Sequence, residues 1–212
     1  MKTENGIIAI TVSEAFKAMH KDYDNVFKMF YPAQSSNGFT ERNQTFFFTK
    51  NFLSINKTAI CWQEVPFGEN GEHIDTMIYL PESKSIIYVE AKRLKNGENG
   101  LESTKQFIEN DIERLKDVFG VTDSPINERF SSDEKPLNKY ILVLGDIWEK
   151  EGKATSNFSI DKWSNSNWLT KKFNMNELYI DSTPESLSDD WMGTKYLNSK
   201  ERYHLLIGLW KI

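Results

Sequence analysis

Three charged residues stand close together in an otherwise apolar stretch of the chain, HIDTMIYLPESKSIIYVEAKRL. Asp75 lies in the first apolar run, and Glu90 and Lys92 lie two residues apart in the second. Two carboxylates held side by side repel each other, and a divalent cation would relieve that repulsion. Oxygen ligands with open water positions suit Mg²⁺, and a nearby lysine can orient or deprotonate a water or stabilise charge on a phosphate. These residue types therefore predict metal-assisted hydrolysis of a phosphodiester.

A β-hairpin is the element that must bring these residues together. The segment 81–84, PESK, predicts a four-residue turn between two strands. Antiparallel pairing then sets Leu80 opposite Ser85, and counting outward sets Asp75 opposite Glu90. The alternation of side chains predicts one core face, made of Ile74, Ile78, Leu80, Ile87, Val89 and Ala91. The other face is predicted to carry His73, Asp75, Met77, Tyr79, Ile86, Tyr88, Glu90 and Lys92.

The hairpin geometry depends on the length of that turn, and it leaves a second interpretation open. A turn with an odd number of residues would undo the pairing of the two acids. Cross-strand salt bridges to Lys92 would also satisfy the charges on an exposed sheet face, without any chemistry. The placement of an acid opposite the Glu-Ala-Lys segment favours the chemical interpretation.

The rest of the chain predicts an α/β domain with a mixed sheet flanked by helices. Helices are predicted over 13–30 with Ser13 as N-cap, from Thr40 through ERNQTFFFTKNFLS, and over 101–119. TAICWQEVPF predicts a strand, and KYILVLGDIW predicts a strand that is buried on both faces. Beyond residue 150 the pattern is weaker, and RYHLLIGLW fits a helix or a strand.

Composition indicates a folded globular protein, because 39% of the 212 residues are hydrophobic and 13% are aromatic. We expect a single domain over 1–212, with a core at about 38–150, an N-terminal helix within 1–37 and a C-terminal extension over 151–212. No apolar run approaches the ~18 to 20 residues that span a bilayer, so no membrane partner is expected. The lone Cys61 and the absence of a long apolar run at the N-terminus indicate a cytoplasmic protein.

The hairpin stretch resembles the core of the PD-(D/E)xK nuclease superfamily, which has the restriction-endonuclease-like fold. The signature of that superfamily is an acid on one strand and acid-x-Lys on the next, flanked by helices in the order α-β-β-β-α-β. The elements predicted over 40–148 follow this order. Asp75 matches the first acid, Glu90 the second and Lys92 the lysine, while Ile74 stands where the family has Pro.

The resemblance implies a Mg²⁺-dependent DNA endonuclease of the restriction or DNA repair type, with Mn²⁺ as a substitute metal. It implies that Asp75, Glu90 and the backbone carbonyl of Ala91 bind the metal and that the lysine positions or activates the water. Many members carry a further Glu on the helix before the three strands. Glu41 on that helix and Glu64 on the first strand are the two candidates, and both stay open.

Residues after the motif are candidates for binding the substrate. Arg93, Lys95 and Lys105 belong to a local positive cluster that could contact phosphates. Gln106 begins the helix after the motif, where related nucleases often place a polar residue near the metal or phosphate. DNA is therefore the expected partner, and a homodimer is an analogy with the family.

Two other functions remain alternatives at this point. The net charge of −5 is a mild argument against polyanion binding, since nucleic-acid-binding proteins usually carry a basic face. A catalytically inactive module that keeps the fold for DNA or protein binding would agree with this charge. An enzyme that acts on RNA is the third hypothesis.

Overall fold

The computed structural model describes residues 4–30, 40–66, 73–94, 100–120, 130, 138–150, 163, 168–182 and 201–212. Its helices are α1 (Glu4–Phe30), α2 (Glu41–Ile55), α3 (Gly100–Gly120) and α4 (Trp168–Phe173). Its strands are β1 (Ile60–Pro66), β2 (His73–Leu80), β3 (Ser85–Leu94), β4 (Asn138–Lys150), β5 (Asn176–Ser182) and β6 (Glu201–Lys211). The predicted α/β class is confirmed. Among these helices, none has the length and apolar character needed to cross a membrane.

The strands form one mixed six-stranded sheet in the order β1-β2-β3-β4-β6-β5. Strands β1, β2 and β3 are antiparallel neighbours, and β3 runs parallel to β4. The α3 helix lies between those two parallel strands in the chain, because a parallel connection needs a crossover. The segment RYHLLIGLW is a strand, since β6 pairs with β4 on one side and with β5 on the other. A mixed sheet flanked by helices is therefore confirmed.

Helices cover both faces of the sheet. On one face, which we call the α2 face, apolar residues of α1 and α2 pack on alternate residues of β2, β3, β4 and β6. On the opposite face, the α3 face, the buried apolar residues among the described side chains of α3 are Ile108, Ile112 and Leu115. Their spacing of three and four residues places them on one helical stripe. The sheet is thus the central layer of three, and β3 and β4 are buried from both sides.

The α1 helix begins earlier than predicted. It starts at Glu4, so Ser13 lies inside the helix and the prediction of an N-cap there was wrong. Ile8 and Val12 are buried in the same core as Phe16. These residues extend the apolar stripe upstream, and packing against the sheet stabilises the extra turns.

The turn of the hairpin has the predicted length. Residues Pro81–Ser83 form one turn of 3₁₀ helix, and Lys84 closes it in the left-handed region at φ 47°. The N–H of Lys84 donates to the carbonyl of Pro81 at 3.2 Å. Leu80 pairs with Ser85 and Thr76 with Val89, so the predicted register is confirmed between these residues. The ladder ends there, and the predicted pairing of Asp75 with Glu90 is not part of it.

The predicted alternation of faces fails at one residue of β2. Ile74 packs on the α3 face beside Met77, whereas it was predicted to share a face with Ile78. Between β1 and β2, Gln63 pairs with Thr76 and Val65 with Ile74, but Glu64 and Asp75 between them are not paired. Glu64 has a φ of 53°. Such a conformation is strained for a residue with a side chain. The backbone is therefore distorted at the point where Asp75 lies.

Candidate active site at the ends of β2 and β3

Asp75 is attached to the middle of the Glu-x-Lys segment. Its Oδ2 accepts a hydrogen bond from the N–H of Ala91 at 2.8 Å. Burial raises the pKa of Asp75, while the hydrogen bond from the Ala91 N–H and the charge of Lys92 oppose the rise. The carboxylates of Glu41 and Glu64 raise this pKa further. An acid from β2 is thus held against the motif on β3 by its hydrogen bond to Ala91.

Glu90 is a buried carboxylate with two positive neighbours. Only 3% of it is exposed, and its carboxylate lies 3.4 Å from the Arg114 guanidinium and 3.9 Å from the Lys92 ammonium. Burial raises its pKa well above the ordinary value, and the negative charges of Asp75 and Asp111 raise it further, while the two cations oppose the rise. Additional positive charge at this point would stabilise the ionised form.

Lys92 is held by an acid that the sequence analysis did not single out. Its Nζ lies 2.7 Å from the Asp111 carboxylate, and Arg114 lies 3.3 Å from the same side chain. Burial would lower the pKa of Lys92, but the hydrogen bond and charge of Asp111 outweigh it, with Glu90 adding to the rise, so the pKa is raised. Lys92 is therefore an ammonium at neutral pH. We call Glu90, Lys92, Asp111 and Arg114 the α3-face cluster.

The position of Asp111 and Arg114 has a signal in the sequence. Each directly precedes a buried residue of α3, Ile112 and Leu115. Polar residues at the edge of the apolar stripe reach the sheet that the stripe covers. Which strand residues they meet depends on how α3 packs, and that is a tertiary property.

Glu41 reaches the motif strand from the first turn of α2. Its Oε1 accepts the N–H of Arg93 at 3.0 Å. Thr40 occupies the N-cap position, but its side chain makes no capping hydrogen bond. The Glu41 carboxylate is bound to the strand that carries Glu90 and Lys92.

Glu64 lies at the distorted residue of β1 and has other partners. Its carboxylate lies 3.3 Å from Arg42 and 2.7 Å from His73. It also contributes to the raised pKa of Asp75, after burial and Glu41. Both predicted glutamates therefore act electrostatically on Asp75, and Glu41 is the one with a bond to β3.

A second cluster, which the sequence analysis did not identify, surrounds Asp146 on β4. Gln44 Nε2 donates to Asp146 Oδ1 at 3.0 Å, and the Tyr203 hydroxyl donates to Oδ2 at 2.5 Å. Arg93 Nε lies 3.5 Å from the same Oδ2, so this guanidinium, predicted to contact phosphate, faces Asp146. Burial raises the pKa of Asp146 to about 6, although the Tyr203 hydrogen bond and Arg93 oppose the rise. We call Gln44, Arg93, Asp146 and Tyr203 the α2-face cluster.

The remaining predicted substrate-binding residues lie further along the chain. Lys95 lies outside the described residues, and the side chain of Lys105 is likewise not described. Gln106 is exposed on α3, and its Nε2 donates to Asn110 Oδ1 at 2.8 Å. Their role in binding a substrate stays a prediction.

The donor set for a metal is small. Within the described part of the chain, no group of three or more His, Cys, Asp or Glu side chains is arranged to hold a metal ion. Of the ligands that the resemblance implies, Asp75 and Glu90 would supply two carboxylates and Ala91 a backbone carbonyl. Mg²⁺ is usually held by one or two carboxylates together with waters and phosphate oxygens, so this set has the right chemistry. The raised pKa values of both acids fit a site that a cation would stabilise.

The chain matches no family model, no curated protein and no solved structure.

Proposed function

We propose that the protein is a Mg²⁺-dependent DNA endonuclease with a restriction-endonuclease-like core. The observation that carries the proposal is the hydrogen bond from Ala91 N–H to Asp75, which holds an acid of β2 against the Glu-x-Lys segment of β3. The chain order α2-β1-β2-β3-α3-β4 agrees with the order that the resemblance implies. Glu41 on α2, in electrostatic reach of Asp75, supports the same function.

Asp75, Glu90 and the Ala91 carbonyl would hold the metal, which supplies Lewis acidity toward the phosphate and lowers the pKa of a bound water. Glu90 is paired with Arg114 at 3.4 Å, a long contact that a divalent cation can replace. Arg114 is then available for a phosphate oxygen, a partner that a guanidinium binds well.

Lys92 acts as a charged donor in this proposal. Its raised pKa keeps it protonated, so it is suited to orient the attacking water and to stabilise negative charge that develops on the phosphate. Asp111 holds the ammonium at 2.7 Å and thereby limits where it can point. The structure of the site favours this role of Lys92 over that of a general base.

A cleavage assay with Mg²⁺ or Mn²⁺ on double-stranded, single-stranded and branched DNA, and on RNA, tests the proposal. We expect metal-dependent cleavage of DNA by the wild type and none by Asp75→Ala or Lys92→Ala. Asp22→Ala and Lys50→Ala are matched controls, because these residues form an ion pair of 2.9 Å between α1 and α2. Both controls should cleave like the wild type, and undiminished activity of the two site variants would refute the assignment.

One observation favours a catalytically inactive module for DNA or protein binding as a second candidate. The α3-face cluster contains two acids and two bases that already pair with one another. A set of balanced charges needs no metal to be stable. Titration calorimetry with Mn²⁺ separates the two candidates, because a module of this kind would show the same result for the wild type and for Asp75→Ala.

A further inference from the structure

Four residues form a closed ring of contacts between α2, β3 and β4. Glu41 accepts the backbone N–H of Arg93 at 3.0 Å, and the Arg93 guanidinium lies 3.5 Å from Asp146. Asp146 in turn accepts a hydrogen bond from Gln44 at 3.0 Å. Gln44 lies one helical turn after Glu41, so the two side chains leave α2 on the same side. The first turn of α2 is therefore tied to the sheet at two points.

The centre of the ring is buried and joined to further elements. Gln44 and Asp146 are both about as inaccessible as core residues, at 1% exposed. Tyr203 on β6 donates to Asp146, and its ring stacks on Tyr23 of α1 with centroids 6.1 Å apart. A buried carboxylate depends on its donors, because losing one leaves charge without compensation in a medium of low dielectric constant. The hydrogen bonds and the ion pair around Asp146 therefore stabilise the ring.

The ring lies directly beside the proposed metal site. Arg93 follows Lys92 in β3, and it is paired with Asp146 across the parallel strands. Glu41, also in the ring, is hydrogen-bonded to the backbone of β3 at Arg93, next to the Glu-x-Lys segment. A shift of α2 along the sheet would change the spacing between the carboxylates of Glu41 and Asp75. Sites of this kind require side chains to be held within about 0.5 Å of the productive geometry.

We infer that Gln44 and Asp146 are positioning residues of the candidate metal site, which act by setting the separation between Glu41 on α2 and the acids at the ends of β2 and β3. The inference rests on the proposed function and adds residues to it that touch neither metal nor DNA. The α2-face cluster then has a role in positioning the metal site, in addition to joining the helices and the sheet.

The first variant is Gln44→Met, which removes the donor to Asp146 with little change in volume. We expect the affinity for Mn²⁺, measured by titration calorimetry, to fall about tenfold. This is the lower end of the loss seen when a direct partner of a metal ligand is removed, because Gln44 acts on the site only through Asp146, Arg93 and Glu41. The Mn²⁺ concentration for half-maximal DNA cleavage should rise by the same factor. The rate at saturating Mn²⁺ should change less, because the reacting groups are still present.

Asn51→Leu is the matched control for a general loss of stability. Asn51 is also a buried amide on α2, but it donates to Asp22 of α1 at 2.7 Å and not to the sheet. Its replacement should lower Tm as Gln44→Met does and leave the Mn²⁺ affinity unchanged. If Mn²⁺ affinity instead follows Tm in both variants, the role of Gln44 is only structural and the inference is wrong.

A charge exchange provides a rescue. Gln44→Glu alone places a second carboxylate against Asp146 and should weaken Mn²⁺ binding further. The double variant Gln44→Glu with Asp146→Asn again places an amide donor opposite a carboxylate. Its Mn²⁺ affinity should therefore return most of the way to that of the wild type. A double variant that binds Mn²⁺ as weakly as Gln44→Glu alone would contradict the inference.

The failure of this inference can be distinguished from the failure of the proposed function. Wild-type protein that binds Mn²⁺ and cleaves DNA, together with Gln44→Met of unchanged Mn²⁺ affinity, overturns the inference alone. Wild-type protein that neither binds Mn²⁺ nor cleaves DNA overturns the proposed function, and the inference is refuted with it.

Discussion

The two charged clusters on opposite sides of β3 differ in how their charge is compensated. In the α3-face cluster, two acids are balanced by two cations, Lys92 and Arg114, whose side chains are 21% and 28% exposed. In the α2-face cluster, Asp146 is 1% exposed and is compensated by one cation together with the neutral donors Gln44 and Tyr203.

This difference indicates what each cluster can do. Cations near the surface can leave their acidic partners for water or a ligand, since solvent screens the charge whether the cation is paired or separated. A carboxylate held by buried neutral donors has no such exchange open to it, because each lost donor leaves the charge uncompensated. The first arrangement suits binding of a cation and a phosphate, and the second suits holding the elements in place.

The largest expected effect comes from Glu90→Gln. Loss of a metal carboxylate should reduce the cleavage rate by about 10³-fold, which corresponds to several kcal/mol of transition-state stabilisation. The free energy of unfolding should change little, because burial and the neighbouring acids disfavour the ionised form of Glu90 while Lys92 and Arg114 favour it. Single-turnover cleavage and urea denaturation measure the two effects.

Glu109→Gln is the control for that variant. Glu109 is also a buried glutamate, and it pairs with Lys172 at 2.5 Å, on the part of α3 that faces α4. The cleavage rate of Glu109→Gln should equal that of the wild type. Wild-type cleavage by Glu90→Gln would show that the two clusters do not differ in function.

The next effect is a pH dependence of stability that belongs to Asp146. Its pKa is about 6 in the folded protein against 3.8 for the ordinary side chain, so folding favours the protonated form. The stabilisation that this protonated form gives the folded protein is fully present below pH 3.8 and is lost as the pH rises through about 6. The loss corresponds to about 3 kcal/mol. Urea denaturation of the wild type and of Asp146→Asn should be measured from pH 3.5 to 7.5. Over this range the free energy of unfolding of the wild type should fall by this amount relative to that of the variant. A difference that does not change with pH would mean that Asp146 is not the buried acid described above.

The smallest effect is expected from Arg114→Met in the α3-face cluster. Without divalent cations, the loss of a partly exposed partner of Glu90 should lower the free energy of unfolding by about 1 kcal/mol. Mg²⁺ should restore most of it, and should stabilise this variant more than the wild type, because a cation replaces the missing guanidinium. Thermal denaturation with and without Mg²⁺ measures this, and equal Mg²⁺ effects on both proteins would argue against a metal at Glu90.

Much of the hairpin followed from sequence because its determinants are local. The Pro-Glu-Ser-Lys segment predicts a four-residue turn, and the apolar alternation on both sides favours the register over a slip by one residue. Together they predicted that Asp75 would lie beside the Glu-x-Lys segment. Ile74 was assigned to the wrong face because the distortion of β1 at Glu64 lies in another strand and has no signal within β2.

The contacts that surround the motif were decided by tertiary structure. Asp111 meets Lys92 because α3 packs on β3, and Gln44 meets Asp146 although 102 residues separate them. Residue types alone could not choose Glu41 over Glu64 as the acid bonded to β3, since that depends on where α2 docks. Local spacing therefore determined the hairpin and its three charged residues. Long-range packing determined their ion pairs and the buried ring beside them, because charges separated in sequence become partners only when the helices pack on the sheet.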